Sequence, residues 1–198
     1  MRLFLFNSES TFDIKMVSDK SKIDEKIVIK ELSLLSKAKL IKKQNFVKNV
    51  EIKHSKNKKK SSGKNETKEI QVKSHGYILD QDFPYITALK QLLIKTKTLE
   101  GGEIIKRLSR SGKLKLVIIS GVFTQDKDSR VDMLVVGNNI NKTSLNNSIK
   151  SIEAELGKEL TYVCFETPDF QYRLSMYDKL VRDVLDYPHQ VLLDKISV

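Results

Sequence analysis

A polar run between two alternating segments constrains this fold more than any other feature. Residues Lys53–Lys68 (KHSKNKKKSSGKNETK) contain seven Lys, one Glu and no apolar side chain. Because such a stretch has nothing to bury, it predicts a flexible surface loop over residues 53–68. The segments on either side, Lys39–Ile52 and Glu69–Leu79, have the alternation of β-strands. Together they predict a β-hairpin with a lysine-rich tip.

Helical segments precede the hairpin. Apolar residues at helical spacing predict a helix over Asp24–Ala38, with Asp24 as its N-cap. Those apolar residues are Ile27, Leu32, Leu34, Leu35 and Ala38. Thr11–Ser18 predicts a shorter helix with Thr11 as N-cap, and Arg2–Asn7 predicts the remnant of a first helix. Two short helices, a longer helix and a hairpin make a helix-turn-helix followed by a wing.

Positive charge is concentrated in the same half of the chain. The 198 residues carry a formal net charge of +11. Residues 1–79 hold 19 Lys and Arg against 9 Asp and Glu, whereas the remainder holds 17 against 16. A surplus confined to one half predicts a module that binds a polyanion, beside a domain of little net charge. A solvated lysine-rich face is the alternative explanation.

Double-stranded DNA is the polyanion that this pattern favours. The helix over Asp24–Ala38 contains no Arg, Asn or Gln for bidentate base reading, so its lysines are expected to act mainly on phosphates. The predicted DNA-contacting residues are Lys22, Lys26, Lys30, Ser33, Lys37, Lys42, Lys43, Lys56, Lys58, Lys59 and Lys60. The predicted domains are a winged helix over 1–82, a linker helix over 83–98, and an α/β domain over 99–198.

The second half predicts alternating helices and strands. From Leu99 onward the order is α-β-β-α-β-α, which predicts a mixed sheet with helices on one face and an α+β fold class. Pro168–Asp186 predicts one long helix with an apolar stripe that includes Tyr177. Cys164 lies in the apolar run YVCF, so a buried structural residue is expected rather than a nucleophile.

Two family resemblances cover the chain. A buried strand, the Ser120-Gly121 turn, a polar loop and a second strand with an inward Asp132 resemble minimal nucleotidyltransferases, over residues 99–198. The first half resembles winged helices of the arsenical-repressor type. Proteins that join these two modules in this order are generally described as predicted transcriptional regulators, and this chain resembles them. The resemblance implies DNA binding and a homodimer.

The nucleotidyltransferase resemblance is incomplete at its chemical residues. Family members carry Gly-Ser in the turn, to position a triphosphate, and Asp-x-Asp on the second strand, to hold a divalent metal. Here Ser120-Gly121 is reversed, and Arg130-Val131-Asp132 keeps one of the two carboxylates. We therefore expect a non-catalytic domain used for dimerisation, nucleotide sensing or partner binding, in which Arg130 and Asp132 pair with each other.

Two alternatives stay open. In the first, the domain is an active nucleotidyltransferase, antitoxin-like, that uses Asp132 with Mg²⁺ and a nucleotide; Ser120, Gly121, Arg130 and Asp132 are then the nucleotide-binding residues. Otherwise no cofactor and no metal site are expected. In the second, the chain is a structural adaptor and its lysines serve solubility. The single cysteine and the short apolar runs predict a cytoplasmic protein without a membrane partner.

Overall fold

The computed structural model describes residues 1–52, 68–94, 99–126 and 128–197. Over these residues the chain is a mixed α and β protein with eight α-helices, one two-stranded sheet and one four-stranded sheet. None of these helices is long and apolar enough to cross a membrane. The chain divides into two compact units. The first comprises Met1, Leu3–Asp19 and Ile23–Ile86, and the second comprises Arg2, Lys20–Lys22 and Thr87–Val198.

The first unit begins with three helices and ends with a hairpin. The helices are α1 (Arg2–Phe6), α2 (Ile14–Ser21) and α3 (Glu25–Lys37). The hairpin strands are β1 (Ile41–Ile52) and β2 (Lys68–Leu79), close to the bounds that the sequence predicts. They pair antiparallel over their full length, from Ile41 opposite Leu79 to Ile52 opposite Lys68. The tip predicted as flexible lies outside the described residues, except for Lys68, which begins β2.

A β-bridge at a single residue, Phe12, extends the edge of this hairpin. The Phe12 N–H donates to the Tyr77 carbonyl at 3.0 Å, and the Tyr77 N–H donates to the Phe12 carbonyl at 2.8 Å. The Phe12 ring also meets Phe4 of α1 edge to face, with ring centroids 5.7 Å apart. Phe12 therefore joins the hairpin to the helices through both its backbone and its side chain.

The N-cap of α2 differs from the predicted one. We expected Thr11, but Phe12 is extended in its bridge to Tyr77, so the helix begins later. The Asp13 carboxylate accepts the Met16 N–H at 2.8 Å, which is the bond that an N-cap makes. Its other oxygen accepts from Lys48 Nζ of β1 at 2.6 Å. Asp13 is 7% exposed and Lys48 is half-buried, so this cap is also a partly buried ion pair between the helices and the hairpin.

The buried side of α3 also differs from the predicted one. Val28 and Leu32 are 3% and 2% exposed, and Leu35 is half-buried beside them. The expected core residues Ile27, Leu34 and Ala38 are exposed instead. Both sets of residues satisfy helical spacing, so periodicity alone could not choose between them. Contacts with the rest of the unit decide which of the two sets is buried.

The Asp13 carboxylate should make the first unit sensitive to acid. Burial raises the pKa of this carboxyl. The hydrogen bond and charge of Lys48, together with backbone N–H donors, lower it by more, so the pKa lies below its ordinary value of 3.8. Its stabilisation is therefore complete above the ordinary value and is lost as the pH falls through the lowered one. We expect Asp13→Asn to cost about 1–3 kcal/mol at neutral pH, because it leaves Lys48 unpaired.

Thermal unfolding followed by circular dichroism between neutral pH and the acid range measures this effect. The wild-type chain should lose more stability on acidification than Asp13→Asn does. Asp82→Asn is the matched control, since Asp82 is exposed in the same unit. Equal acid sensitivity of wild type and Asp13→Asn would contradict the assignment.

The second unit contains five helices and a four-stranded sheet. In chain order they are α4 (Ile86–Ile94), α5 (Gly101–Leu108) with a 3₁₀ turn (Ser109–Ser111), β3 (Lys113–Ile119), β4 (Met133–Asn138), α6 (Lys142–Leu156), β5 (Tyr162–Glu166), α7 (Thr167–Ser175), α8 (Lys179–Asp186) and β6 (Gln190–Asp194). The first residue of α4 belongs to the first unit. The sheet order is β5-β4-β3-β6. Strand β3 is antiparallel to β4 and β6, whereas β4 and β5 are parallel, so the sheet is mixed.

Helices cover both faces of this sheet, so the prediction of one covered face was wrong. Val117 and Val135 pack with side chains of α5 and α6 on one face. Leu116 and Leu134 pack with Phe170 of α7 and Val181 of α8 on the other. The reason is visible in β3 and β4, where successive residues are buried, as expected of strands covered on both faces.

The predicted helix over Pro168–Asp186 is two helices. It breaks at Met176–Asp178, where Tyr177 has a left-handed φ of +55°. The Asp178 carboxylate then caps α8 by accepting the N–H groups of Leu180 and Val181. Tyr177 is 76% exposed rather than part of the apolar stripe. A local cap thus interrupts a periodicity that would otherwise continue.

Candidate nucleic-acid interface and the Ser120–Gly121 turn

Four of the predicted DNA-contacting residues form one stripe along α3. Lys26, Lys30, Ser33 and Lys37 are all exposed. At 100° per residue they fall within an arc of about 60°, so their side chains leave the helix on the same side. This side lies opposite the buried side formed by Val28 and Leu32. We name these four residues the lysine stripe.

The lysine stripe is free of acidic side chains. The acidic residues of α3 are Glu25 and Glu31. Glu31 is displaced from Lys30 by about 100° around the helix, and Glu25 is displaced from Ser33 by about 80° in the other direction. Asp24 caps the helix by accepting the Lys26 N–H at 2.8 Å. The stripe therefore presents three ammonium groups and one hydroxyl without a competing carboxylate.

The remaining predicted lysines are dispersed. Lys22 is exposed in the turn between α2 and α3, with a φ of +59°. Lys42 and Lys43 are both exposed, but as neighbours on β1 they point to opposite faces of the hairpin. Lys42 also pairs with Asp80 at 3.1 Å, which reduces its free charge. Lys56, Lys58, Lys59 and Lys60 lie outside the described residues.

Two features of this surface escaped the sequence reasoning. Lys73 of β2 is exposed and lies on the same face of the hairpin as Lys43, because it pairs with Val47 in the β1–β2 register. Strand alternation across the loop could have placed it there. Ile27 and Leu34 are exposed next to the lysine stripe, which the buried-face interpretation of α3 obscured.

The Ser120–Gly121 turn is closed rather than open. Ser120 is fully buried, and its hydroxyl donates to the Val131 carbonyl. The Ser129 hydroxyl donates to the same carbonyl at 2.8 Å. Gly121 is buried with a φ of +53°, in the left-handed region that favours glycine. The turn is thus held against the loop that precedes β4.

Asp132 ties this turn to the start of β5. One carboxylate oxygen accepts the Val122 N–H at 2.8 Å, and the other accepts the Thr161 N–H at 2.9 Å. Its own N–H donates to the Thr161 carbonyl at 2.7 Å, and its carbonyl accepts the Ser120 N–H at 2.9 Å. Every polar group of Asp132 is therefore engaged with the backbone of two other segments. This arrangement stabilises the loops at the end of the sheet.

The other charged residues near the turn make separate contacts. Arg130 was expected to pair with Asp132, but its guanidinium lies 3.5 Å from Asp183 of α8. Asp126 accepts the Asp128 N–H at 3.0 Å within the loop. Throughout the described residues, no three His, Cys, Asp or Glu side chains gather as metal ligands would. The positions that resemble a nucleotidyltransferase centre therefore do not assemble a cluster of carboxylates.

Cys164 of β5 is half-buried. Burial, followed by the nearby charge of Glu166, raises the pKa of its thiol. A thiol with a raised pKa stays protonated at neutral pH, and the protonated form is a poor nucleophile. The sequence predicted a buried structural residue here, and the side chain is only half-buried.

Comparisons with protein families, with curated proteins and with solved structures found no match for this chain. Its function therefore has to be argued from its own geometry. The lysine stripe provides a cationic helix surface suited to phosphates, whereas the Ser120–Gly121 turn provides hydrogen bonds that are already used within the protein.

Proposed function

We propose that this chain is a DNA-binding transcriptional regulator. In this proposal α3 enters the major groove of double-stranded DNA, and the β1–β2 hairpin follows the neighbouring backbone. The observation that carries it is the lysine stripe, which gathers three exposed cations on the side of α3 opposite the core. The major groove admits a helix of this diameter, and phosphates flank it on both sides.

The element order of the first unit supports a winged helix. The order is a helix, the β-bridge residue Phe12, two helices, and then a long hairpin. The second strand of the hairpin pairs with Phe12. A winged helix needs this order, because the short strand fixes the hairpin beside the helix that enters the groove. The lysine-rich segment at the tip of the hairpin supplies further charge to meet phosphates.

We infer that the second unit is non-catalytic and joins two copies of the chain. Its Asp132 carboxylate is held by two backbone N–H groups, and Arg130 pairs with Asp183, so these residues support packing rather than metal chemistry. Tyr172, Met176 and Tyr177 are each more than 60% exposed, which supplies apolar surface for a second copy. A homodimer would present two α3 helices to successive half-sites.

Fluorescence anisotropy with a labelled duplex tests the proposal. We expect affinity to fall steeply with salt, because each lysine on a phosphate releases about 0.9 counterion. The three lysines of the stripe predict a loss of roughly 40-fold between about 50 and 200 mM salt. Absence of binding at the lower salt concentration would overturn the proposal. Sedimentation of the same complex counts whether one or two chains occupy each duplex.

A further inference from the structure

Two large apolar side chains on α3 have no place in the core. Ile27 is 52% exposed and Leu34 is 58% exposed. They are seven residues apart, so they lie one above the other on the same side of the helix. Ile23, in the turn before α3, is 42% exposed as well. This apolar row costs free energy in water, so a contact that covers it would be stabilising.

The apolar row borders the lysine stripe. Lys30 lies three residues after Ile27, and Lys37 lies three residues after Leu34, so each apolar side chain has an ammonium group on one side, and Glu31 borders the row on its other side. A partner of α3 must therefore accept cations and offer apolar groups within one narrow surface. Duplex DNA does so in its major groove, where phosphates flank the C5-methyl groups of thymine.

The chemistry of the row limits what it can read. Ile27 and Leu34 have no hydrogen-bond donor or acceptor, so they cannot distinguish bases through their polar edges. The thymine methyl is the apolar feature that a base pair presents in the major groove. The lysines contribute charge that attracts every sequence equally. Selectivity on this side of α3 thus rests on methyl contacts.

We propose that Ile27 and Leu34 bind thymine C5-methyl groups, so that α3 prefers A·T-rich duplex DNA. This inference rests on the proposed DNA binding and adds the class of sequence that is bound. It also explains why α3 can serve as a recognition helix without Arg, Asn or Gln. The preference comes from apolar contact rather than from bidentate hydrogen bonds.

A methyl deletion in the DNA tests the proposal. The probes are an A·T-rich duplex of mixed sequence and the same duplex with deoxyuridine at every thymine, which removes the C5-methyl groups alone. Each buried methyl contributes about fourfold in affinity, so two contacts predict a preference for the thymine duplex of roughly tenfold or more. Anisotropy titrations of both duplexes at one salt concentration measure the ratio.

Two variants assign the preference to the apolar row. Ile27→Ser with Leu34→Ser should bind both duplexes with nearly equal affinity. Ile29→Ser is the matched control, because Ile29 is 50% exposed but lies on the other edge of the lysine stripe, about 160° around α3 from Ile27. It should keep the thymine preference. All three positions are exposed, so these substitutions leave the core of the unit intact.

Each outcome separates the inference from the proposed function. Binding of both duplexes with a ratio near one overturns the methyl contacts but leaves DNA binding in place. Absence of binding to either duplex in dilute salt overturns both. A preference that survives the double substitution, or disappears in Ile29→Ser, overturns the assignment to Ile27 and Leu34. Binding of α3 to anionic lipid vesicles that depends on these residues, with no thymine preference, also overturns it.

Discussion

Replacing Lys26, Lys30 and Lys37 with Ala together should lower affinity for duplex DNA on the order of 100-fold near physiological salt. For each lysine contact that is lost, the DNA keeps about 0.9 condensed counterion, which amounts to roughly a fivefold loss of affinity at that salt concentration. The three side chains are exposed, so the fold should be unaffected. Anisotropy titrations at several salt concentrations give both the affinity and its salt dependence, whose slope should fall by about three.

A second triple variant separates local contact from overall charge. Lys150, Lys158 and Lys179 are exposed in the second unit, and replacing them with Ala removes the same net charge. We expect affinity to change only a few-fold in this variant, because these lysines lie outside the lysine stripe and act only through screened charge. Equal losses in the two variants would show that the chain attracts DNA through net charge alone. The lysine stripe would then have no special role.

Replacing Gly121 with Ala should destabilise the second unit by about 2–4 kcal/mol of unfolding free energy. Gly121 has a φ of +53°, which an alanine adopts only at a cost. A β-carbon at this position would also overlap Oδ1 of Asp132, the atom that accepts the Val122 N–H. Denaturant unfolding of the full chain measures the change. Gly102→Ala is the control, because its β-carbon would meet nothing within 4 Å.

A double-mutant cycle tests whether the two residues act through one contact. Asp132→Ala alone should also destabilise the unit, since it leaves the Val122 and Thr161 N–H groups without their acceptor. If the cost of Gly121→Ala comes largely from displacing Asp132, the double variant should lose less stability than the two single losses added together. Full additivity would leave only backbone strain at Gly121. Stability unchanged in Asp132→Ala would contradict the structural role of this carboxylate.

In the second unit, a resemblance in local sequence does not reveal what the resembling residues contact. A strand, a Ser-Gly turn and a strand with Asp132 are recognisable from local sequence. The bonds that give Asp132 its role join it to Val122 and Thr161, which are 10 and 29 residues away. No local pattern specifies those partners, because they depend on how β3, β4 and β5 pair.

The sequence by itself determined the lysine-rich segment, the unequal charge and most of the helices and strands. These are local properties, since composition and periodicity act through neighbouring residues along the chain. The tertiary structure alone decided that α3 buries Val28 and Leu32 while exposing Ile27 and Leu34. It also decided that helices cover both faces of the sheet and that Arg130 meets Asp183. Each of these follows from contacts between segments distant in sequence, whose geometry exists only once the chain has folded.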